Sequence, residues 1–224
     1  MHALLATLWQ SDTAFPSGSF AFSSGVEGAA ALSGSLDKTA LRNLLASTLR
    51  HRWASTDRLA MLYAFHADGI ERLATIDQAL EAATLPEPLR TGSRRNGAGF
   101  LTAHDRVRTP GAAELRAAVA ARRCLGHLPV AQGWIWRRCG LDETSAVAAS
   151  GYTSVAAMIQ AAVRLGVLGA LEAQAVLFDL LADIAASAAE PFDPAGAIVF
   201  ASITPWLEIA VMRHAHAGVR LFSN

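Results

Sequence analysis

The stretch QAVLFDLLADIA, residues 174–185, carries the longest helical pattern in the chain. Gln174, Leu177, Phe178, Leu181, Ile184 and Ala185 recur at three- and four-residue spacing. That spacing places them on one face of an α-helix, and it leaves Asp179 and Asp183 on a solvated face. The stretch therefore predicts an amphipathic helix.

Similar patterns recur along the chain, each with a candidate N-cap. Apolar residues at helical spacing occupy 41–49 after Asp37, 59–66 after Asp57, and 155–163 after Thr153 or Ser154. Thr204-Pro205 is typical of an N-cap followed by the first helical residue. Alternating β-type runs are nearly absent, and 197–203, AIVFASI, is the one ambiguous stretch. The predicted fold class is all-α.

The breaks between these patterns are short, as in a helical bundle, and none has the length or polarity of an interdomain linker. They include Pro86-Glu87-Pro88, Gly140, Gly151 and 190–196. We therefore expect 1–224 to form a single-domain helical bundle of about ten helices. Residues 1–18 and the tail 215–224 are expected to be mobile until a partner binds. Because termini that only fray are usually polar, the apolar tail end VRLFSN is expected either to dock on its own domain or to insert into a partner.

Composition excludes several classes of protein. Of 224 residues, 52% are hydrophobic and 17% charged, which excludes intrinsic disorder. Nineteen basic residues balance nineteen acidic ones, which argues against nucleic-acid binding. No unbroken apolar run reaches the length of a membrane span, and no signal-peptide pattern opens the chain, so we expect a cytoplasmic protein without a membrane partner. Cys124 and Cys139 form no zinc or disulfide framework.

The motifs of common catalytic sites are missing. The sequence contains no P-loop, no GxGxxG, no HExxH, no DDxxD and no GxSxG. His214 and His216 are the only close histidines, but two residues apart on a helix they point about 200° away from each other, which makes them weak metal ligands. The sequence predicts neither an enzyme nor a resident cofactor.

Several segments together carry a resemblance. Residues 8–28, LWQSDTAFPSGSFAFSSGVEG, resemble the opening of the urease accessory protein UreF family. Residues 161–177 are similar to its arginine-leucine-glycine-glutamine segment through Arg164, Gly169 and Gln174, and 127–133 add a weaker match. The end of the chain resembles the closing family pattern through His214 and Arg220-Leu221-Phe222.

The chain departs from the family pattern at several of these positions. Val167 and Ala170 replace a proline and a glutamine, and Ala215 replaces a glutamate. These departures identify a divergent member of the family.

The resemblance implies a non-catalytic, all-α homodimer. It also implies that the chain binds a UreD/UreH-like accessory protein, recruits a UreG-like GTPase and docks on apo-urease for nickel insertion. The partner-binding residues implied are Phe20, Glu27, Arg164, Gly169, Gln174, His214, Arg220, Leu221 and Phe222. Among them, Glu27 corresponds to a position associated with control of GTPase activity.

Two other classes remain open from the residues alone. A ligand-sensing transcriptional regulator would also be all-α, and Arg42, Arg50, His51 and Arg52 form a modest basic patch. An all-α enzyme acting on a diphosphate is the second alternative, and it would need aspartate clusters that the sequence lacks.

Overall fold

The computed structural model describes residues 1–215 and 221–222 and has an all-α architecture, as predicted; this part of the chain contains no β-strand. A short 3₁₀ turn spans Ser19–Ala21. The α-helices are α1 (His2–Ser11), α2 (Val26–Ser33), α3 (Lys38–Thr48), α4 (Arg58–His66), α5 (Ile70–Ala83), α6 (Glu87–Arg106), α7 (Ala112–Ala120), α8 (Leu128–Arg138), α9 (Glu143–Arg164), α10 (Ala170–Ala188) and α11 (Pro205–Ala215).

A π-helical segment, Leu49–Asp57, joins α3 to α4 without a break, so these three elements form one long helix. Counted this way, the described residues contain ten helices, in agreement with the prediction. Asp37 caps α3 by accepting a 2.8 Å hydrogen bond from the Ala40 amide, as expected. The prediction of Asp57 as an N-cap is wrong, because the helix runs through this residue.

The centre of the bundle is α8, in which every residue from Pro129 to Trp136 is buried. Gly133 lets α8 press against α4, since a Cβ at this position would lie 2.1 Å from the Met61 carbonyl oxygen. Trp53, Trp134 and Trp136 fill the surrounding core. The close crossing fixes the frame on which the outer helices pack.

The helix α9 begins earlier than its apolar pattern indicated. Asp142, rather than Thr153 or Ser154, is its N-cap and accepts a 2.7 Å hydrogen bond from the Ser145 amide. Gly151 is not a break but an interior position, where a Cβ would meet Ile184 and the Trp53 ring. By length and composition α9 could cross a membrane, but 61% of its apolar window is buried in the fold, as in the core helix of a globular protein.

The ambiguous stretch 197–203, hereafter the strap, contains neither helix nor sheet pairing. Its residues alternate between exposed and half-buried, which is the pattern of an extended chain. The strap lies along the π segment and α4, where the Tyr63 hydroxyl donates a 2.8 Å hydrogen bond to the Ala197 carbonyl. Pro205 then opens α11, as predicted.

Candidate partner-binding site

Two glycines bring the first motif of the chain against its last helix. A Cβ at Gly28 would lie 2.5 Å from the Ala210 carbonyl oxygen, and one at Gly25 would lie 2.4 Å from Cδ1 of Leu207. Gly25 also has φ +93°, a conformation that only glycine adopts without strain. The small residues of this motif therefore allow α2 and α11 to cross in direct contact.

This crossing places Glu27 of α2 beside His214 of α11. Oε2 of Glu27 lies 3.0 Å from Nε2 of His214, although the ring is not aligned for a hydrogen bond. Both side chains are buried. A buried carboxylate needs compensating donors, and its neighbourhood supplies them from the tail.

The carboxylate of Glu27 holds the backbone of the tail. Oε1 accepts a hydrogen bond of 2.7 Å from the Leu221 amide, and Oε2 accepts one of 3.2 Å from the Phe222 amide. Hydrogen bonds from backbone amides to an ionised carboxylate are about twice as strong as neutral ones. Glu27 thus fastens the end of the chain to its N-terminal motif.

Arg164, at the end of α9, forms a second fastening. Its Cζ lies 3.7 Å from the ring centre of Phe20 and 4.3 Å from that of Phe222, so the guanidinium contacts both aromatic rings. It also donates a hydrogen bond to the Phe20 carbonyl. A guanidinium can stack and donate at once, which an ammonium cannot do equally well.

Phe20, Arg164 and Phe222 also line a cleft of about 220 Å³. Farther along the same cleft, the π segment contributes Arg52 and Asp57, whose Nε and Oδ2 are 3.6 Å apart. Burial raises the pKa of the Asp57 carboxyl above its ordinary value, and Arg52 partly offsets the effect. The fastened tail therefore forms part of the wall of a cleft that also contains a charged pair.

Within residues 1–215 and 221–222, no group of three or more His, Cys, Asp or Glu side chains is arranged to hold a metal ion. The weak candidate His214 is turned toward Glu27, and His216 lies outside the described residues. Burial raises the pKa of both cysteine thiols to about 11, which keeps them protonated and poorly reactive at neutral pH.

Comparison with known proteins identifies the family. The family model named UreF matches residues 36–181, well over half of the chain. The chain belongs to the UreF family.

Curated relatives match it over nearly their full length, and each bears the name urease accessory protein UreF. The relative from Arthrobacter sp. (strain FB24) is 32% identical over 98% of this chain and 96% of its own. The relative from Trichodesmium erythraeum is 30% identical with the same coverage, and the one from Bacillus sp. (strain TB-90) is 27% identical over the whole of both chains.

The structure brings most of the UreF-like residues into one cluster, which we call the latch: Phe20, Glu27, Arg164, His214, Leu221 and Phe222. Gly169 and Gln174 lie elsewhere, at the start of α10, and both are exposed. Arg220 falls outside the described residues. Their roles in partner binding remain predictions.

Sequence reasoning missed the second apolar face of α10 in this UreF-family chain. Leu177 and Ile184 are buried as expected, but Phe178 is 74% exposed and Leu181 40%. The helix is apolar on both sides, so periodicity alone could not separate its core face from its free face. The spacing of Leu171, Phe178 and Ala185 at seven residues was the available signal.

Proposed function

We propose that this chain is a non-catalytic scaffold in urease maturation. It binds a UreD/UreH-like accessory protein, recruits a UreG-like GTPase and docks the assembly on apo-urease, where nickel is inserted as cargo, in the cytoplasm. The observation that carries the proposal is the latch, in which Glu27 and Arg164 hold the tail against the N-terminal motif. Both ends of the UreF-like pattern thereby form one surface.

That surface has the composition of a protein interface. Phe20 and Leu221 are exposed at the latch, and Trp206, Ile209 and Met212 form an exposed stripe along the neighbouring α11. Aromatic side chains, Met and Arg are enriched where proteins bind each other. We assign the latch and the α11 stripe to the UreD/UreH-like partner.

The free face of α10 suits a second copy of the chain. Its exposed residues follow a heptad-like spacing without a charge: Leu171, Gln174, Ala175, Phe178, Leu181, Ala182 and Ala185. Such a seam packs against another helix. Charged residues at such a seam usually determine which helix it pairs with, and because this face has none, nothing in it disfavours pairing with an identical helix. This face supports a homodimer, in which Gln174 would lie within the contact and Gly169 at the N-cap of the same helix.

The proposed control of the GTPase follows from the engagement of Glu27. In the latched state the carboxylate is occupied by the Leu221 and Phe222 amides. Binding of the tail by the accessory partner withdraws these amides and frees Glu27 for the UreG-like protein. Recruitment of the GTPase thus depends on prior binding of the accessory partner.

Co-purification tests the scaffold. The tagged chain is co-expressed with the UreD/UreH-like and UreG-like proteins of its organism, and the complex is weighed by light scattering. We expect a 2:2 or 2:2:2 assembly that is lost when residues 215–224 are deleted. Full recovery of the partner by the deleted chain would contradict the role of the tail.

A single exposed substitution tests the homodimer. Phe178→Glu places a charge on the α10 seam and should leave a folded monomer, whereas Leu85→Glu, an equally exposed site between α5 and α6, should stay dimeric. If the Phe178→Glu variant kept the mass of a dimer in solution, α10 would be excluded as the dimer face.

The DNA-binding alternative is not favoured, because Arg52 of its basic patch is paired with Asp57.

A further inference from the structure

The strap is attached to the bundle by one edge of its backbone. The Ala201 amide donates to the Ser55 carbonyl at 3.3 Å, and the Ile203 amide donates to the His51 carbonyl at 3.0 Å. The Ser55 hydroxyl completes this edge by donating to the Ala201 carbonyl. Two residues of extended chain therefore match about one turn of the π segment, and the strap runs antiparallel to it.

The other edge of the strap is unpaired. Successive backbone N–H groups of an extended chain point to opposite sides, so the amides between the anchored ones point away from the π segment. Across the residues that the structure describes, the Phe200 and Ser202 amides donate to no protein group. Every second backbone group is thus available to a neighbour.

The outward side chains give this edge an apolar character. Val199 and Ile203 are 67% and 69% exposed, and no residue between Asp193 and Glu208 is charged. Exposed edge strands are usually protected by charges, prolines or bulges, because they otherwise pair with another chain. The strap has none of these protections from Ala197 to Ile203.

We propose that the free edge of the strap is the docking site for an extended segment of the accessory protein partner, which adds to it as a β-strand with apolar residues at alternate positions. This inference rests on the proposed scaffold function and extends it to a defined binding mode. Unpaired backbone groups at two-residue spacing are recognised by another extended backbone, and the alternating side chains supply specificity. The strap leads directly into the exposed Trp206 of α11, so the edge continues the surface assigned to the accessory partner.

The test removes a single amide. Ser202→Pro eliminates an N–H that has no protein partner, and the preceding Ala201 is already extended, as proline requires. The lost Ser202 hydroxyl is buried without a partner, so its removal is tolerated. Ala197→Pro is the matched control, because it places a proline in the same strap without removing an outward amide.

Both variants are compared with the wild-type chain in capture of the co-expressed UreD/UreH-like and UreG-like proteins. Loss of this edge contact should weaken capture about tenfold for Ser202→Pro, while Ala197→Pro stays within about twofold. Hydrogen exchange at the Phe200 and Ser202 amides of the wild-type chain should slow on complex formation.

Several results would overturn the inference. One is normal capture of the partners by Ser202→Pro. Another is unchanged amide hydrogen exchange at 198–203 in a complex that forms at full yield. In either case the scaffold function would survive, but the strap would not be the docking site. Equal weakening by both prolines would place the effect in strap conformation instead of its free edge. Slowed exchange in the isolated chain that depends on its concentration would assign the edge to a second copy. Failure of the wild-type chain to form any complex would remove the scaffold function, and this inference with it.

Discussion

Glu27 and Leu221 are 194 positions apart in the chain and are joined by a 2.7 Å hydrogen bond from the Leu221 amide to the Glu27 carboxylate. The contact recognises backbone, so it fixes the position of the tail without depending on the Leu221 side chain. That side chain remains 67% exposed and free for a partner. The latch therefore presents a tail residue to solvent while holding its main chain.

Removal of the Glu27 carboxylate should release the tail. Glu27→Ala deprives two tail amides of their acceptor, and we expect the local opening free energy at Leu221 and Phe222 to fall by about 2 kcal/mol. Amide exchange there should accelerate roughly 30-fold. Glu71→Ala, at an exposed carboxylate on α5, is the control and should leave both amides unaffected. Equal exchange in Glu27→Ala and wild type would contradict the latch.

Arg164 should not be replaceable by lysine. A lysine keeps the charge but loses the planar group that contacts both Phe20 and Phe222, and we expect a local loss of about 1 kcal/mol. Hydrogen exchange over 20–22 and at Phe222 measures this loss. Arg213→Lys, at an exposed position of α11, provides the comparison. If hydrogen exchange at the latch were equally slow in Arg164→Lys and Arg213→Lys, a positive charge at position 164 would be sufficient to hold the tail.

A methyl group at Gly28 should disturb the α2–α11 crossing. Gly28→Ala brings Cβ within 2.5 Å of a backbone oxygen that cannot rotate away, and we expect the free energy of unfolding to fall by about 2 kcal/mol. In Gly92→Ala the nearest atom of Phe22 is 3.6 Å away, and the better helix propensity of alanine should make that change neutral or stabilising. Urea denaturation of the two variants decides between these outcomes.

His104 should make the fold sensitive to mild acid. Burial lowers the pKa of His104 to about 4, and the neutral ring lies 3.1 Å from Oε1 of Gln10 through Nε2 and 2.9 Å from the Thr109 hydroxyl through Nδ1. Because the unfolded chain takes up a proton near pH 6.5 and the folded chain only near 4, stability is lost as the pH falls through this window. From pH 7.5 to pH 5 the loss should be about 2 kcal/mol.

The variant His104→Gln isolates this contribution. The free energy of unfolding of both proteins is measured in urea at pH 7.5 and at pH 5. Between these pH values the wild type should lose about 2 kcal/mol more than the variant does. Asp57, whose raised pKa acts in the opposite direction, is common to both proteins and cancels in the comparison. Parallel pH profiles would exclude His104 as the source.

The fold could be predicted from the sequence wherever local chemistry decides the structure. Asp37 and Pro205 mark helix starts because side-chain capping and the missing proline amide act within one turn. Asp57 misled because a π segment has no signature in three- and four-residue periodicity. Gly151 misled because its role is set by Trp53, which lies far away in the chain.

The site could be predicted only in part, because its contacts join residues that are far apart in the chain. The resemblance singled out Glu27, Arg164 and the tail, but no local pattern shows that they meet. Asp77 was missed altogether, although its carboxylate accepts hydrogen bonds from the amides of Leu125, Gly126 and His127 and so positions the start of α8. A lone aspartate in a helical stripe carries no local mark of such a contact.

The π segment also limits which insertions and deletions the long α3–α4 helix tolerates. Its wider turns hold Arg52 and Asp57 toward the cleft, and its His51 and Ser55 carbonyls toward the strap. A π turn holds about one residue more than an α turn, because its hydrogen bonds join residues i and i+5 instead of i and i+4. Deleting one residue between Leu49 and Asp57 therefore converts a π turn into an α turn: α3 and α4 keep their register, while the carbonyls that hold the strap are displaced.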